Sequence, residues 1–124
     1  MIARVWKGTT SADDADGYAD YMNATGVAEI ESIRGNVGVL LTRHVKDGIA
    51  EFTFISLWDS MDSIKLFSGP DPDRAVFYPE DDRYLVTRWW SVEHHDVVGG
   101  RMAGDRIGAP NTLTHAAAQA NDTR

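Results

Sequence analysis

Two apolar stretches joined by an Asp-Gly turn limit this chain more than any other feature. Asn36 to Val45 contains VGVLLT and Ala50 to Trp58 contains FTFISLW, and Lys46-Asp47-Gly48 between them suits a tight hairpin turn. Neither stretch alternates cleanly between apolar and polar residues. Apolar side chains therefore fall on both faces of the sheet, and both faces need cover. Helices can cover one. A unit of this size has too few helices for the other, so a second copy of the chain is expected there, making a homodimer.

The remaining elements fall into place around that hairpin. Ile2 to Lys7 reads as a strand with Ala3 and Val5 on one face and Arg4 and Trp6 on the other. Thr9-Thr10-Ser11 offers helix caps, and Ser11 to Asp14 has capping-box spacing. From there to about Ser32, Ala15, Tyr18, Ala19, Met22, Ile30 and Ile33 recur at three- and four-residue steps, the pattern of one amphipathic helix weakened near Thr25-Gly26. Arg34-Gly35-Asn36 turns out of it. After Trp58, Asp59 or Ser60 is placed to cap a short helix carrying Ile64, Leu66 and Phe67, which Gly69-Pro70 stops. A second helical piece is expected at Asp73 to Tyr78, ending against Pro79, and a closing strand at Arg88 to Val98. The order β-α-β-β-α-β predicts an α+β, ferredoxin-like unit over residues 1–98. Beyond it GGRMAGDRIGAPNTLTHAAAQANDTR has no aromatic residue and many small or polar ones. Residues 99–124 read as a flexible tail with a transient helix at His115 to Ala120.

Charge and composition exclude several classes of function. The net charge is −7, and the segment after Val98 is slightly positive, so the folded part is more acidic still. Without a basic stripe to offset this, nucleic acid and anionic membrane surfaces are not expected partners. No stretch approaches the ~18 apolar residues of a membrane helix, and MIARVWKGTT lacks the apolar core of a signal peptide. A cytoplasmic location is the expectation. With no cysteine, disulfides, thiolate nucleophiles and iron–sulfur or thiolate zinc sites are ruled out. No phosphate-binding glycine loop, dinucleotide fingerprint or serine nucleophile elbow occurs.

Among chemistry-bearing residues, Glu93-His94-His95-Asp96 looks most like a metal site, with His44 as a distant third ligand. Strand alternation argues against it, sending His94 and Asp96 to one face and Glu93 and His95 to the other. No metal is expected. His94 shares its face with Trp90 and Val92, where a half-buried imidazole can tune its protonation near neutral pH. The plainer alternative is a structural histidine bonded to backbone. Tyr78 offers a phenol beside a helix end, able to exchange a proton with a bound phenol or quinone; packing with a wet hydroxyl is its alternative. Trp58 can wall a pocket for a flat ligand or pack against the first helix. Phe67, Phe77 and Trp90 are further candidates for a substrate wall, although Phe52, Phe54, Phe67 and Phe77 read most simply as core. Arg88 can anchor an anionic oxygen or, more simply, pair with the acidic run Glu80-Asp81-Asp82.

The succession LWDSMDSI, FSGPD and YPEDDRYL resembles the antibiotic biosynthesis monooxygenase family of small dimeric α+β barrel proteins, over roughly residues 1–98. The resemblance implies a homodimer formed through the free sheet face and a histidine in a VEHYEV-like closing strand, a place that His94 fills. His95 departs from that pattern, which has an aromatic there. Haem-degrading relatives share the fold. Spacing puts Phe67 at their aromatic position and Phe77 where their iron-ligating histidine stands, and a phenyl ring cannot bind iron. No cofactor is expected. The implied function is a cofactor-independent monooxygenase oxidising a polyphenolic or anthrone-type aromatic to a quinone, with His94 as proton acceptor or oxyanion partner, Tyr78 as hydrogen-bond donor and Trp58 as pocket wall. A ligand-binding or isomerase-like member without oxygen chemistry, and a dimer without catalysis, are the alternatives.

Overall fold

The computed structural model describes residues 1–103; the remainder of the expected tail, with its helix at His115 to Ala120, lies outside the described residues. The elements in chain order are β1 (Ile2–Ser11), a 3-10 turn (Ala12–Asp14), α1 (Ala15–Met22), a π-helical stretch (Asn23–Val27), α2 (Ala28–Glu31), β2 (Asn36–Lys46), β3 (Ile49–Trp58), α3 (Met61–Ser68), α4 (Asp81–Tyr84), β4 (Thr87–Arg88) and β5 (Glu93–Asp96). Asp47 and Gly48 both take left-handed φ values, 53° and 78°. That is the twist a two-residue hairpin needs, and it sets Lys46 opposite Ile49. The sheet runs β2-β3-β1, with β4 and β5 both on the far edge of β1, and every pairing is antiparallel. The architecture is the ferredoxin-like α+β unit.

β1 is longer than its apolar pattern suggests, running to Ser11 opposite Ile49. Thr10 sits fully buried in it and satisfies its hydroxyl on the Ser11 carbonyl. Ser11 still caps the 3-10 turn, its Oγ accepting from the Asp14 N–H. The helical run then continues from Ala12 to Glu31, and its weak point is where the hydrogen bonding loosens to the π pattern around Thr25-Gly26.

Two expectations for the second half are corrected. Asp73 to Tyr78 is not helical; the helix forms later, at Asp81–Tyr84. The residue before a proline is disfavoured in the helical region, so Tyr78 cannot end a helix comfortably. Its segment finds backbone partners elsewhere: Ala75 N donates to Trp90 O at 3.0 Å and Val92 N to Asp73 O at 2.8 Å. Those partners come from the closing strand, which is broken rather than continuous. Arg88 lies opposite Gly8 and Glu93 opposite Val5, so Trp89 to Val92, four residues, face only Trp6 and Lys7 on β1. The extra residues bulge outward and pair with 73–75.

The helix-side face of the sheet carries Arg4, Trp6, Phe52, Phe54, Ser56 and Trp58. Burial there forms two clusters, one around Trp6, Tyr18, Met22 and Phe52, the other around Ile30, Trp58 and Ile64. Phe54 touches both. The opposite face presents Ala3, Val5, Leu40, Ile55 and Leu57, all only partly buried, with no element of the described chain packed over them.

Candidate functional site

A narrow cavity of about 30 Å³ opens at the seam between the two clusters. Trp6 and Met22 reach it from the first and Ile30 and Phe67 from the second, with Phe54, Phe77 and Tyr78 completing an aromatic wall. A guanidinium and a carboxyl group, those of Arg4 and Asp81, also line it.

Arg4 is 4% exposed. Its Nη2 donates to Arg74 O at 3.0 Å and its Nη1 to Pro72 O, so residues 72–74 wrap the guanidinium. Nη1 also lies 3.2 Å from His94 Nε2. An arginine can only donate, so Nε2 accepts and the imidazole proton sits on Nδ1, which faces Asp73 Oδ1 at 3.4 Å. Asp73, His94 and Arg4 thus form one chain, made possible by the register that sets His94 opposite Arg4. Burial, then the positive charge of Arg4, push His94 below its usual value, with Asp73 pulling the other way. Burial lowers Arg4 to about 10, which leaves it charged at neutral pH. No carboxylate among the described residues pairs with it directly.

Asp81 opens α4 and is 3% exposed. Its Oδ2 accepts from Tyr78 N at 2.6 Å, and Tyr18 Oη lies 3.5 Å from Oδ1. Burial raises its pKa above the ordinary carboxylate range, partly offset by the Tyr78 N–H and the charge of Arg88. Tyr78 donates its hydroxyl to Glu29, and burial followed by that carboxylate hold the phenol protonated.

Of the residues singled out in the sequence, Tyr78, Phe67 and Phe77 come together at the cavity. His94 stands behind Arg4 and does not line it. Trp58 is fully buried in the neighbouring cluster, stacked near Phe67 at 6.4 Å between centroids, with its indole N–H donated to Ser56 Oγ at 2.8 Å. Arg88 pairs with Asp82 at 2.6 Å, the simpler of its two readings, and lies over the rings of Phe77 and Trp90. Trp90 is 67% exposed on the bulge. His95 turns to Glu93 at 3.1 Å. Arg4 and Asp81 are the residues that sequence reasoning missed. Arg4 did carry a signal, since a charged residue sharing a strand face with Trp6 has to be buried or to break the pattern. Asp81 sits in an acidic run that reads as solvated, and only its place three residues after Tyr78, beyond a proline, hints at a cap.

The sequence matches no protein-family model and no curated protein. Solved structures do share its fold. A Bacillus cereus protein described as an antibiotic biosynthesis monooxygenase superposes with a TM-score of 0.60 at 14% identity, covering 84% of this chain and 97% of that one. MhuD, in a structure with two manganese protoporphyrin IX molecules bound per active site, superposes with a TM-score of 0.54 at 16% identity, covering 83% of this chain and all of that one. The fold is therefore that of the antibiotic biosynthesis monooxygenases, in agreement with the likeness in the sequence. Among the described residues no helix is long and apolar enough to cross a membrane.

Proposed function

We propose that this chain is a small cofactor-independent monooxygenase-like protein, a cytoplasmic homodimer that oxidises a polyphenolic, anthrone-type aromatic to a quinone. The observation that carries this reading is the seam cavity, whose walls are rings and whose interior holds a carboxylate with a raised pKa. The chemistry balances without a further reductant: the substrate CH₂ and one dioxygen give a ketone and one water. An ionised electron-rich phenol can itself reduce dioxygen, so the protein has to accept a proton, orient the ring and exclude water. Asp81 accepts the phenolic proton, since a carboxylate with a raised pKa holds one better than a solvated acid does. The ring of Tyr78, with Phe67 and Phe77, orients the substrate. His94, the leading candidate in the sequence, acts on the cavity through Arg4 and not by contact. Trp58 supports Phe67 from behind.

A porphyrin, the ligand of MhuD, fits these residues poorly. No imidazole among the described residues lines the cavity, Phe77 stands where the spacing calls for an iron ligand, and His94 Nε2 is committed to Arg4. The homodimer is supported by the partly buried apolar residues on the sheet face that no helix of the described residues covers.

One observation favours a second reading, a dimer without catalysis. A cavity of about 30 Å³ has room for one or two waters and not for a ring system. On the enzymatic reading, Phe67, Phe77 and the segment before Pro79 move aside to admit substrate. Oxygen uptake by metal-free protein supplied with 1,8-dihydroxyanthrone separates the two. The expected result is uptake well above the protein-free rate, reduced about a hundredfold in Asp81→Asn, a change that keeps an acceptor for the Tyr78 N–H. Uptake no faster than without protein removes the monooxygenase reading.

A further inference from the structure

We propose that Arg4 is an anion-binding residue of the seam cavity, taking a carboxylate or ionised phenol carried by a flat aromatic ligand while Asp73 and His94 hold its guanidinium in place. This deepens the monooxygenase reading and rests on the same cavity being the ligand site, but not on any oxygen chemistry.

Arg4 is set apart by what it lacks. A charge taken out of water is stabilised by an opposite charge or by a full set of hydrogen bonds. The acceptors of Arg4 are two carbonyls and one imidazole held neutral, and none carries a negative charge. Asp73, whose charge does reach Arg4, lies on the far side of His94 and is largely solvated. Asp81 lines the same cavity, yet it does not pair with Arg4, and the charges that it feels are those of Arg88 and Asp82. The cavity is thus polarised, with an unpaired cation in one part and a proton acceptor in another.

The hydrogen-bond donors point the same way. The Arg4 Nε–H has no acceptor among the described residues, and no buried side-chain nitrogen there is both sealed and unpartnered. The Nε–H is therefore not sealed off, and the Arg4 side chain is part of the cavity lining. Phe67 lies under the guanidinium at 5.8 Å, with Trp6 and Phe54 adjoining, so a flat ring admitted when Phe67 and Phe77 move aside meets aromatic neighbours beside Arg4. Beside a largely buried guanidinium an ionised oxygen is worth more than in bulk water, and three anchors already hold the guanidinium in place to receive it.

The test compares two probes of one shape, 2-naphthoate and neutral 2-naphthol, by isothermal titration of the full chain at neutral pH without substrate turnover. The naphthoate is expected to bind tighter by about tenfold or more. In Arg4→Met that preference is expected to vanish while naphthol affinity is kept, which also reports that the variant is folded. Asp73→Asn should weaken naphthoate binding more than naphthol binding, because it loosens the brace and not the wall. In the unmodified, ¹⁵N-labelled protein the Arg4 Nε–H resonance should shift with naphthoate and not with naphthol. This measurement keeps the proposal testable should Arg4→Met not fold. Equal affinities, a preference retained in Arg4→Met, an unmoved Nε–H resonance, or no binding of naphthoate at millimolar concentration each overturn the proposal. Because these readouts involve no dioxygen, absent oxygen uptake together with a naphthoate preference sinks the monooxygenase reading alone, and the converse sinks only the anion site.

Discussion

At the scale of single residues, the burial of Arg4 and Asp81 matters most, and both show how a side chain's chemistry depends on neighbours far along the sequence. His94 shows it too. The groups that face it are Arg4 and, on the loop, Asp73, with the charge of His95 adding to that of Arg4. Burial and those cations hold its folded pKa below the ordinary 6.5, so the unfolded chain binds a proton first as the pH falls. Its contribution to stability is therefore whole above pH 6.5 and is lost as the pH drops from there through the folded value. Urea denaturation at pH about 7.5 and about 5.5 checks this. The wild type should lose more stability between the two than His94→Gln does, and parallel losses would contradict the account. The strand parity that places His94 inside was legible from alternation. That its partner would be an arginine was not, because the pairing joins residues at opposite ends of the described chain.

At the scale of elements, the junction between β3 and α3 combines several local rules. Ser60 caps the helix, its Oγ accepting from Ser63 N at 3.1 Å, while Asp59 Oδ1 accepts from the Ser63 hydroxyl at 2.6 Å. Residue types alone narrowed the cap to Asp59 or Ser60, and the structure makes it Ser60. What the sequence does not display is that the turn at Gly35 passes directly over it. Gly35 has φ 95°, and a Cβ there would collide with Ser63 Oγ and stand 2.7 Å from Asp59 Oδ1. Removing the cap with Ser60→Ala should cost about 1 kcal/mol of unfolding free energy. Gly35→Ala should cost more, about 2 kcal/mol or above, because it adds left-handed backbone strain to displacement of the cap. Chemical denaturation gives the ranking, and a harmless Gly35→Ala would mean that the two elements are not packed as described. The closing strand carries the opposite lesson. Trp89, Trp90 and Val92 are good strand formers, yet it breaks at Trp89 to Val92 because the 73–75 segment also needs partners for its N–H groups.

At the scale of the whole molecule, the decisive feature is the sheet face that no helix of the described residues covers. Ala3, Val5, Leu40, Ile55 and Leu57 are worth burying, and a second copy meeting this face through its own equivalent residues would bury them twice over. Sedimentation should give a species of twice the 13.7 kDa chain mass. Ile55→Glu, which sets a charge in the middle of that face, should shift it to a folded monomer at micromolar concentration. A wild-type chain that stays monomeric at high concentration would leave the apolar face unexplained.

The sequence by itself determined what depends on near neighbours: the hairpin at Asp47-Gly48, the cap at Ser11, a second cap at Asp59 or Ser60, the loosened helix at Thr25-Gly26, and which side chains share a face on the unbroken strands, though not at Trp90, which the bulge exposes. Each follows from backbone sterics or from hydrogen bonds within a few residues. The tertiary structure alone decided that the last helix forms at Asp81 and not at Asp73, that the closing strand bulges, and that Arg4, His94 and Asp73 meet beside a cavity shared with Asp81. Those outcomes were settled by competition for partners between segments distant in the chain, where no local preference is strong enough to choose.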